Sequence, residues 1–404
     1  MMRQPRGFAA LVAALAAIAV WVPCGGVAAA AGCGPTDIVV TNNLDGAGPP
    51  AGSLRAAFAT ASATGGPQTI CVAAGVVSPI MLTTAGGGEL VYNAGTTPDL
   101  TVQGNGITVH AAPNDRVVND ETTGPLRLDT IVITGGNAGG PGGGVSTGGD
   151  LALSNATVEG NTAAGRGGGV SAVGNVTVTS SLISANTAGF DGGGICAFGT
   201  ATVTASTIAD NAADNGGDGG GVCAFGAMTV TNSTVTGNSA AGDTGGGLDT
   251  NEALTLVYST VVQNTAANGA NLGFLTLASF GSAVALPSGG SQNCALPGTS
   301  NGFNFTDDVS CDFSAAETHA GVNPDVGAVT RNGGPTPTRL PQAGSPLIDA
   351  IPASSCELDG AAGITRDQRG LARPDTTGGP CDIGAVEVQA ARPTPVGVTP
   401  RFTG

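Results

Sequence analysis

From Leu151 onward the chain repeats short words in which apolar residues alternate with threonine and serine. They read "LALSNATV" (Leu151 to Val158), "VTVTSSLI" (Val176 to Ile183), "ATVTASTI" (Ala201 to Ile208), "MTVTNSTV" (Met228 to Val235) and "LTLVYSTV" (Leu254 to Val261). A period of two, rich in β-branched residues, predicts strands with one face turned inward. No unit carries an i, i+3, i+4, i+7 stripe, and the surrounding glycine would dissolve a helix. Each word follows a glycine triplet starting at Gly142, Gly167, Gly192, Gly219 or Gly245, at intervals of 25, 25, 27 and 26 residues. A near-fixed period of this size predicts a solenoid. One coil per unit, climbing about 4.8 Å per turn, gives a parallel β-helix, right-handed by the rule for parallel crossovers.

The remaining words of the unit follow from that geometry. Glycine allows a sharp corner and close approach of one coil's backbone to the next. Three residues after the last branched position stands an asparagine: Asn161, Asn186, Asn211, Asn238 and Asn264. Asparagine tolerates the left-handed region, and side-chain amides stacked at one corner can bond up and down as a ladder. The triplets are not phosphate loops, since no lysine follows them and none opens a helix. A leucine-rich repeat would need more leucines per unit than the one or two present. "DNAADNGGDGGG" (Asp210 to Gly221) hints at a calcium turn without the nonapeptide pattern, so calcium is weakly supported and no other cofactor is expected.

A solenoid exposes strand edges unless its ends are capped. "DIVVTNN" (Asp37 to Asn43) reads as a strand and "GSLRAAFATASA" (Gly52 to Ala63) as a short capping helix. Ser53 is its N-cap, and Leu54, Ala57, Phe58 and Ala61 share one face. The chain therefore divides into a leader (1–31), an N-terminal cap with irregular first coils (32–141), regular coils (142–280), a loop-rich C-terminal region of coils and cap (281–388) and a Pro/Thr tail expected to be disordered (389–404).

Composition fits a narrow core of small side chains: 69 glycines, 3% aromatic and 10% charged residues, yet 41% hydrophobic. Arg3 and Arg6 before an apolar run (Phe8 to Val22), then "GVAAAAGC" (Gly26 to Cys33), read as an export signal. Cys33 also offers a lipid-attachment position, although Ala30 stands where that motif prefers leucine. The formal charge is −16, and without Arg3 and Arg6 it becomes −18, from 11 arginines and 29 acidic residues. That sign excludes nucleic acid and anionic lipid as partners. Cys24 falls in the leader, leaving eight cysteines. An even number in an oxidising compartment points to disulfides between sequence-local couples: Cys33 with Cys71, Cys196 with Cys223, Cys294 with Cys311, Cys356 with Cys381. Cys196 and Cys223 stand four residues after the first glycine of their units, so they stack on adjacent coils within disulfide range.

"GSLRAAFATA" resembles the motif of secreted bacterial proteins with the CSLREA domain, matching at Ser53, Leu54, Arg55 and Ala57, with Gly52 and Ala56 replacing its Cys and Glu. "NGGPTPTRLPQAGSPLIDA" (Asn332 to Ala350) and "TRDQRGLARPDTTGGPCDIGAVE" (Thr365 to Glu387) resemble the closing signature of choice-of-anchor Q proteins. The resemblance covers most of residues 37–388. It implies an exported, surface-associated β-helix of pectin-lyase-like shape and no particular reaction.

That shape raises the question of carbohydrate chemistry. A glycosidase needs paired carboxylates and a lyase needs a base. Asp307-Asp308 is the one paired-acid site, placed between two cysteines of the cap. Asp191, Asp214, Asp218 and Asp243 lie on glycine-rich corners able to face calcium or sugar, or only solvent. His110 and His319 share no visible partner. Arg366, Asp367, Arg369, Arg373 and Asp375 read as an ion-paired network holding the cap. Tyr92, Tyr258 and the phenylalanines look too scattered for a sugar-stacking platform. The expectation is a non-catalytic surface, adhesive or binding rod, with carbohydrate or cell-surface components as partners and no membrane span once the leader is gone. The alternative is a carbohydrate-active enzyme of the same shape.

Overall fold

The computed structural model describes residues 33–389 except 96–97, 243, 315 and 359–360. The leader (1–31), the tail from residue 390 and Asp243 lie outside the described residues. Among those described, no helix is long and apolar enough to cross a membrane.

The chain is a parallel β-solenoid. Each repeat word breaks into two strands, as in Val176–Thr179 and Leu182–Ser184. They pair in register with Leu151–Ser154 and Thr157–Glu159 below, and with Ala201–Thr204 and Thr207–Ala209 above. The break falls at a left-handed residue (Asn155, Ser180, Ala205, Asn232, Tyr258; φ 46–48°), which turns the strand through a corner. A third strand per coil, such as Ile195–Ala197, builds an eight-stranded sheet on another side. Two-residue strands such as Thr187–Ala188 form a further, five-stranded sheet. Inward columns of Val, Leu, Ile and Ala stack into one continuous core.

Each glycine of a triplet meets a different constraint. The first adopts positive φ, 68° at Gly167 and 73° at Gly192. A Cβ on the second would run into the carbonyl of the next coil's second glycine, as Gly193 would into Gly220. The third faces the ladder asparagine: a Cβ on Gly194 would stand 3.0 Å from Asn211 Cγ.

The ladder itself is buried and regular. Asn186 Nδ2 donates to Asn211 Oδ1 at 2.9 Å, Asn211 to Asn238 at 2.9 Å and Asn238 to Asn264 at 2.9 Å. Asn161 Nδ2 donates to Asn186 at 2.9 Å. The left-handed residue is not the asparagine but its predecessor, such as Ala185 (φ 53°) or Asp210 (φ 56°). The asparagine keeps ordinary backbone geometry because its amide is needed inside. The ladder also outlasts the regular repeat: Asn264 donates to Asn271 at 2.9 Å and Asn271 to Asn293 at 2.7 Å. In Gly269-Ala270-Asn271, Asn271 replaces the third glycine and puts its own amide into the space that glycine leaves. A second buried row runs through Ser181, Ser206, Ser233, Ser259 and Ser282. The hydroxyls of Ser181, Ser206, Ser233 and Ser282 each accept a backbone N–H from the preceding coil, and that of Ser259 donates to the carbonyls of Val230 and Val257.

The N-terminal helix is Leu54–Thr64, with the Ser53 side chain accepting from Ala56 N and Leu54, Ala57, Phe58 and Ala61 buried. Arg55 pairs with Asp45 at 2.6 Å and donates to the carbonyls of Gly88 and Glu89, clamping the helix to the first coils. At the other end, stacking continues through Thr299–Gly302 and Phe305–Thr306. The C-terminal cap is more than an end plug, because it runs back along the flank of the coils. Gln368 Nε2 donates to Ser206 O at 3.0 Å and Thr207 Oγ1 at 2.8 Å, and Arg339 reaches Thr236 Oγ1 at 2.8 Å.

Three cysteine couples are bonded: Cys33–Cys71, Cys294–Cys311 and Cys356–Cys381. The fourth expectation needs correction. Cys196 and Cys223 pair in register on adjacent coils, yet they are free buried thiols with sulfurs 3.4 Å apart. In-register parallel neighbours project their side chains the same way, so the sulfurs lie side by side, whereas a disulfide needs the Cβ–Sγ bonds to turn toward each other.

Candidate functional site

The eight-stranded sheet carries a groove along the solenoid axis, assembled from three rows with one residue per coil. The floor is the middle position of each short strand, running Ser146, Ser171, Cys196, Cys223, Asp249. One wall is the residue before each glycine triplet, joined by backbone bonds as Arg166, Asp191, Asp218, Thr244. The other wall is the residue after each strand, namely Val173, Phe198, Phe225, Asn251.

An aromatic shelf stands in this groove. The Phe198 and Phe225 rings stack with centroids 5.0 Å apart and planes 10° from parallel. The Arg166 guanidinium lies 5.7 Å and 5.4 Å from the two centroids and pairs with Asp191 at 2.7 Å. A cation fixed over aromatic faces by a carboxylate is a rigid donor array. The hydrogen bond that Arg166 Nε donates to Asp191 Oδ2 raises the Arg166 pKa, so it stays charged. Beside the shelf opens a cleft of about 480 Å³ bordered by Pro141, Ser171, Val173, Phe190 and Phe198. Phe198 lines it and Phe225 does not, so it lies on the Val173 side of the stack. Phe190 is 51% exposed and Phe198 43%, an uncommon investment for a chain so poor in aromatics.

Further along, a second cleft of about 360 Å³ holds Asp218, Asp249, Asn251, Phe274 and Leu275. Burial pushes the Asp249 carboxyl up to about 6, with Asp218 and Asp191 adding to the rise. Thr244 joins the two acids: its N–H donates to Asp218 Oδ1 and its hydroxyl to Asp249 Oδ1, both at 2.9 Å. Hydrogen bonding to Cys196, then burial, holds the Cys223 thiol well above its ordinary value.

The other sequence candidates do not join this groove. Asp307 and Asp308 are ladder terminators: Asp307 accepts from Asn293 Nδ2 at 2.7 Å and Asp308 from Asn293 N at 2.8 Å. Asp214 is exposed on its corner. His110 bonds the carbonyl of Ala111 at 2.9 Å, and His319 stacks on Phe305 at 4.8 Å. Tyr92 and Tyr258 are fully buried. Arg369 pairs with Asp367 at 2.8 Å, Arg373 with Glu387 at 3.7 Å, Arg366 donates to Gly370 O and the Asp375 N–H to Glu387, all within the cap. For calcium, the described residues offer one three-ligand grouping, Cys33, Asp37 and Cys71, whose sulfurs are already joined. The expectation of scattered phenylalanines is corrected at Phe190, Phe198 and Phe225. The signal was available: "CAFG" occurs at Cys196 and again at Cys223, 27 residues apart, the same interval as Gly192 to Gly219.

No family model matches the chain, and no curated protein matches it. Among solved structures, the crystal structure of pectate lyase Pel9A aligns at 13% identity over 86% of this chain and 96% of that one, with a TM-score of 0.46. The parallel β-helix stands on the strand pairings themselves.

Proposed function

We propose that this protein is an extracellular β-helix rod that binds a linear polysaccharide in the groove, without cleaving it. The observation that carries the reading is the Phe198–Phe225 stack with Arg166 fixed over it, beside an open cleft on the coil face. The exposed Phe198 ring, backed by the half-buried Phe225, can take the apolar face of a pyranose, and the Arg166–Asp191 pair offers donors and acceptors to its hydroxyls. The disulfides and the resemblance to CSLREA and choice-of-anchor Q proteins support an exported, surface-associated setting. The test is co-sedimentation with insoluble polysaccharides, comparing the intact protein with Phe198→Ala/Phe225→Ala. Loss of binding in the variant supports the reading, and equal binding overturns it.

A carbohydrate-active enzyme is the second reading, favoured by one observation. Asp249, held up to about 6, shares Thr244 with Asp218 in the same groove. A carboxyl partly protonated near neutrality suits a general acid. New reducing or unsaturated ends, abolished by Asp249→Asn, would establish it.

A further inference from the structure

We infer that the groove's ligand is an uncharged polysaccharide, not a polyuronate or a polyamine; this rests on the binding reading above. Three observations select the class. First, the groove is linear and built from rows that recur once per coil, so it suits a chain of repeating units better than a compact ligand. Second, its aromatic half is an apolar cleft with exposed Phe190, Phe198 and Val173, which matches the C–H face of a neutral sugar ring. Third, its charges are spent or of the wrong sign for an anion. Arg166 is neutralised by Asp191 at 2.7 Å, while Asp218 and Asp249 stand in the same groove. A polyuronate would bring carboxylates against these acids on a chain of net charge −16, with no lysine to receive them. A polyamine gains little at the shelf, where Arg166 already holds the cationic place over both rings. Hydroxyls meet no such penalty, and the Arg166–Asp191 pair can accept from them and donate to them without losing its own bond.

Affinity electrophoresis separates the cases. The full chain is run through native gels containing a neutral β-glucan, polygalacturonate or chitosan, alongside Phe198→Ala and Phe190→Ala. Both variants change exposed side chains, and matching melting curves show that they fold. The expected result is retardation by the neutral glucan alone, with affinity reduced about ten-fold by each variant. Phenylalanine-dependent retardation by polygalacturonate or chitosan in place of the glucan overturns the ligand class and leaves the binding reading intact. Retardation by none of the three, or retardation unaffected by both variants, overturns both.

Discussion

Asn293 donates its side-chain amide to Asp307 Oδ1 at 2.7 Å, and there the column of amides that began at Asn161 ends on a carboxylate. The serine row ends the same way: Asn304 N, the next acceptor-seeking group in that row, donates to Glu317 Oε1 at 2.9 Å. Each interior row of directional bonds would otherwise finish with unpaired N–H groups, and an acid that only accepts is the natural terminator.

Breaking that column in its middle is therefore costly. Asn211→Ala leaves Asn186 N and Nδ2 without their acceptor and the Ile183 carbonyl without its donor. The expected loss is about 3 kcal/mol, measured by denaturant unfolding. Asp307→Ala, at the end of the column, should cost less. An Asn211→Ala protein as stable as the parent would refute a structural role for the ladder.

Glycine positions that look identical in sequence should separate sharply. Gly193→Ala places a Cβ against the Gly220 carbonyl, and the stacked coils have no room to yield. A destabilisation above about 2 kcal/mol, or failure to fold, is expected. Gly139→Ala meets nothing within 4 Å at ordinary φ and should be neutral or slightly stabilising. Paired melting curves of the two variants decide it.

Cys196 and Cys223 are thiols 3.4 Å apart on adjacent coils. A small disulfide oxidant should join them, with loss of two hydrogen atoms seen by intact-mass spectrometry and a bridging peptide after digestion. Closing that loop should stabilise the chain by about 3 kcal/mol. Cys196→Ser should abolish both changes. Persistence of two alkylatable thiols after oxidation would show that the coils hold the sulfurs apart.

The cap carries a pH-dependent element. Burial pushes Glu387 up to about 7 against an ordinary value of 4.5, with Arg373 opposing the rise and Asp382 adding to it. Between these values the unfolded chain releases this proton while the folded chain keeps it. Stability from this group is therefore full below about 4.5 and lost as pH rises through about 7. Melting temperature measured from pH 4.5 to 8 should fall less steeply in Glu387→Gln than in the parent. Identical slopes would remove Glu387 from the titration.

Much of this architecture was legible because a solenoid makes structure local. When each coil contacts only its neighbours, a residue's environment recurs at the period of the chain. The triplets, the ladder from Asn161 to Asn264 and the buried face of the Leu54–Thr64 helix could thus be read directly. The extension to Asn271 and Asn293 escaped because Asn271 enters the column from the glycine corner, where spacing gives no hint.

By itself the sequence determined the coil: its period, its inward columns, its capping helix and the couples of cysteines close enough to meet. Only the tertiary structure decided which outward residues share a surface. Phe198, Phe225 and Arg166 become one shelf because side chains from opposite walls of the groove, on three successive coils, converge across the same strand row. Likewise Gln368 reaches Ser206 because the cap doubles back, a contact that no local period records. Backbone stacking is fixed by nearest neighbours and repeats, whereas a groove depends on side chains from different corners arriving at one place.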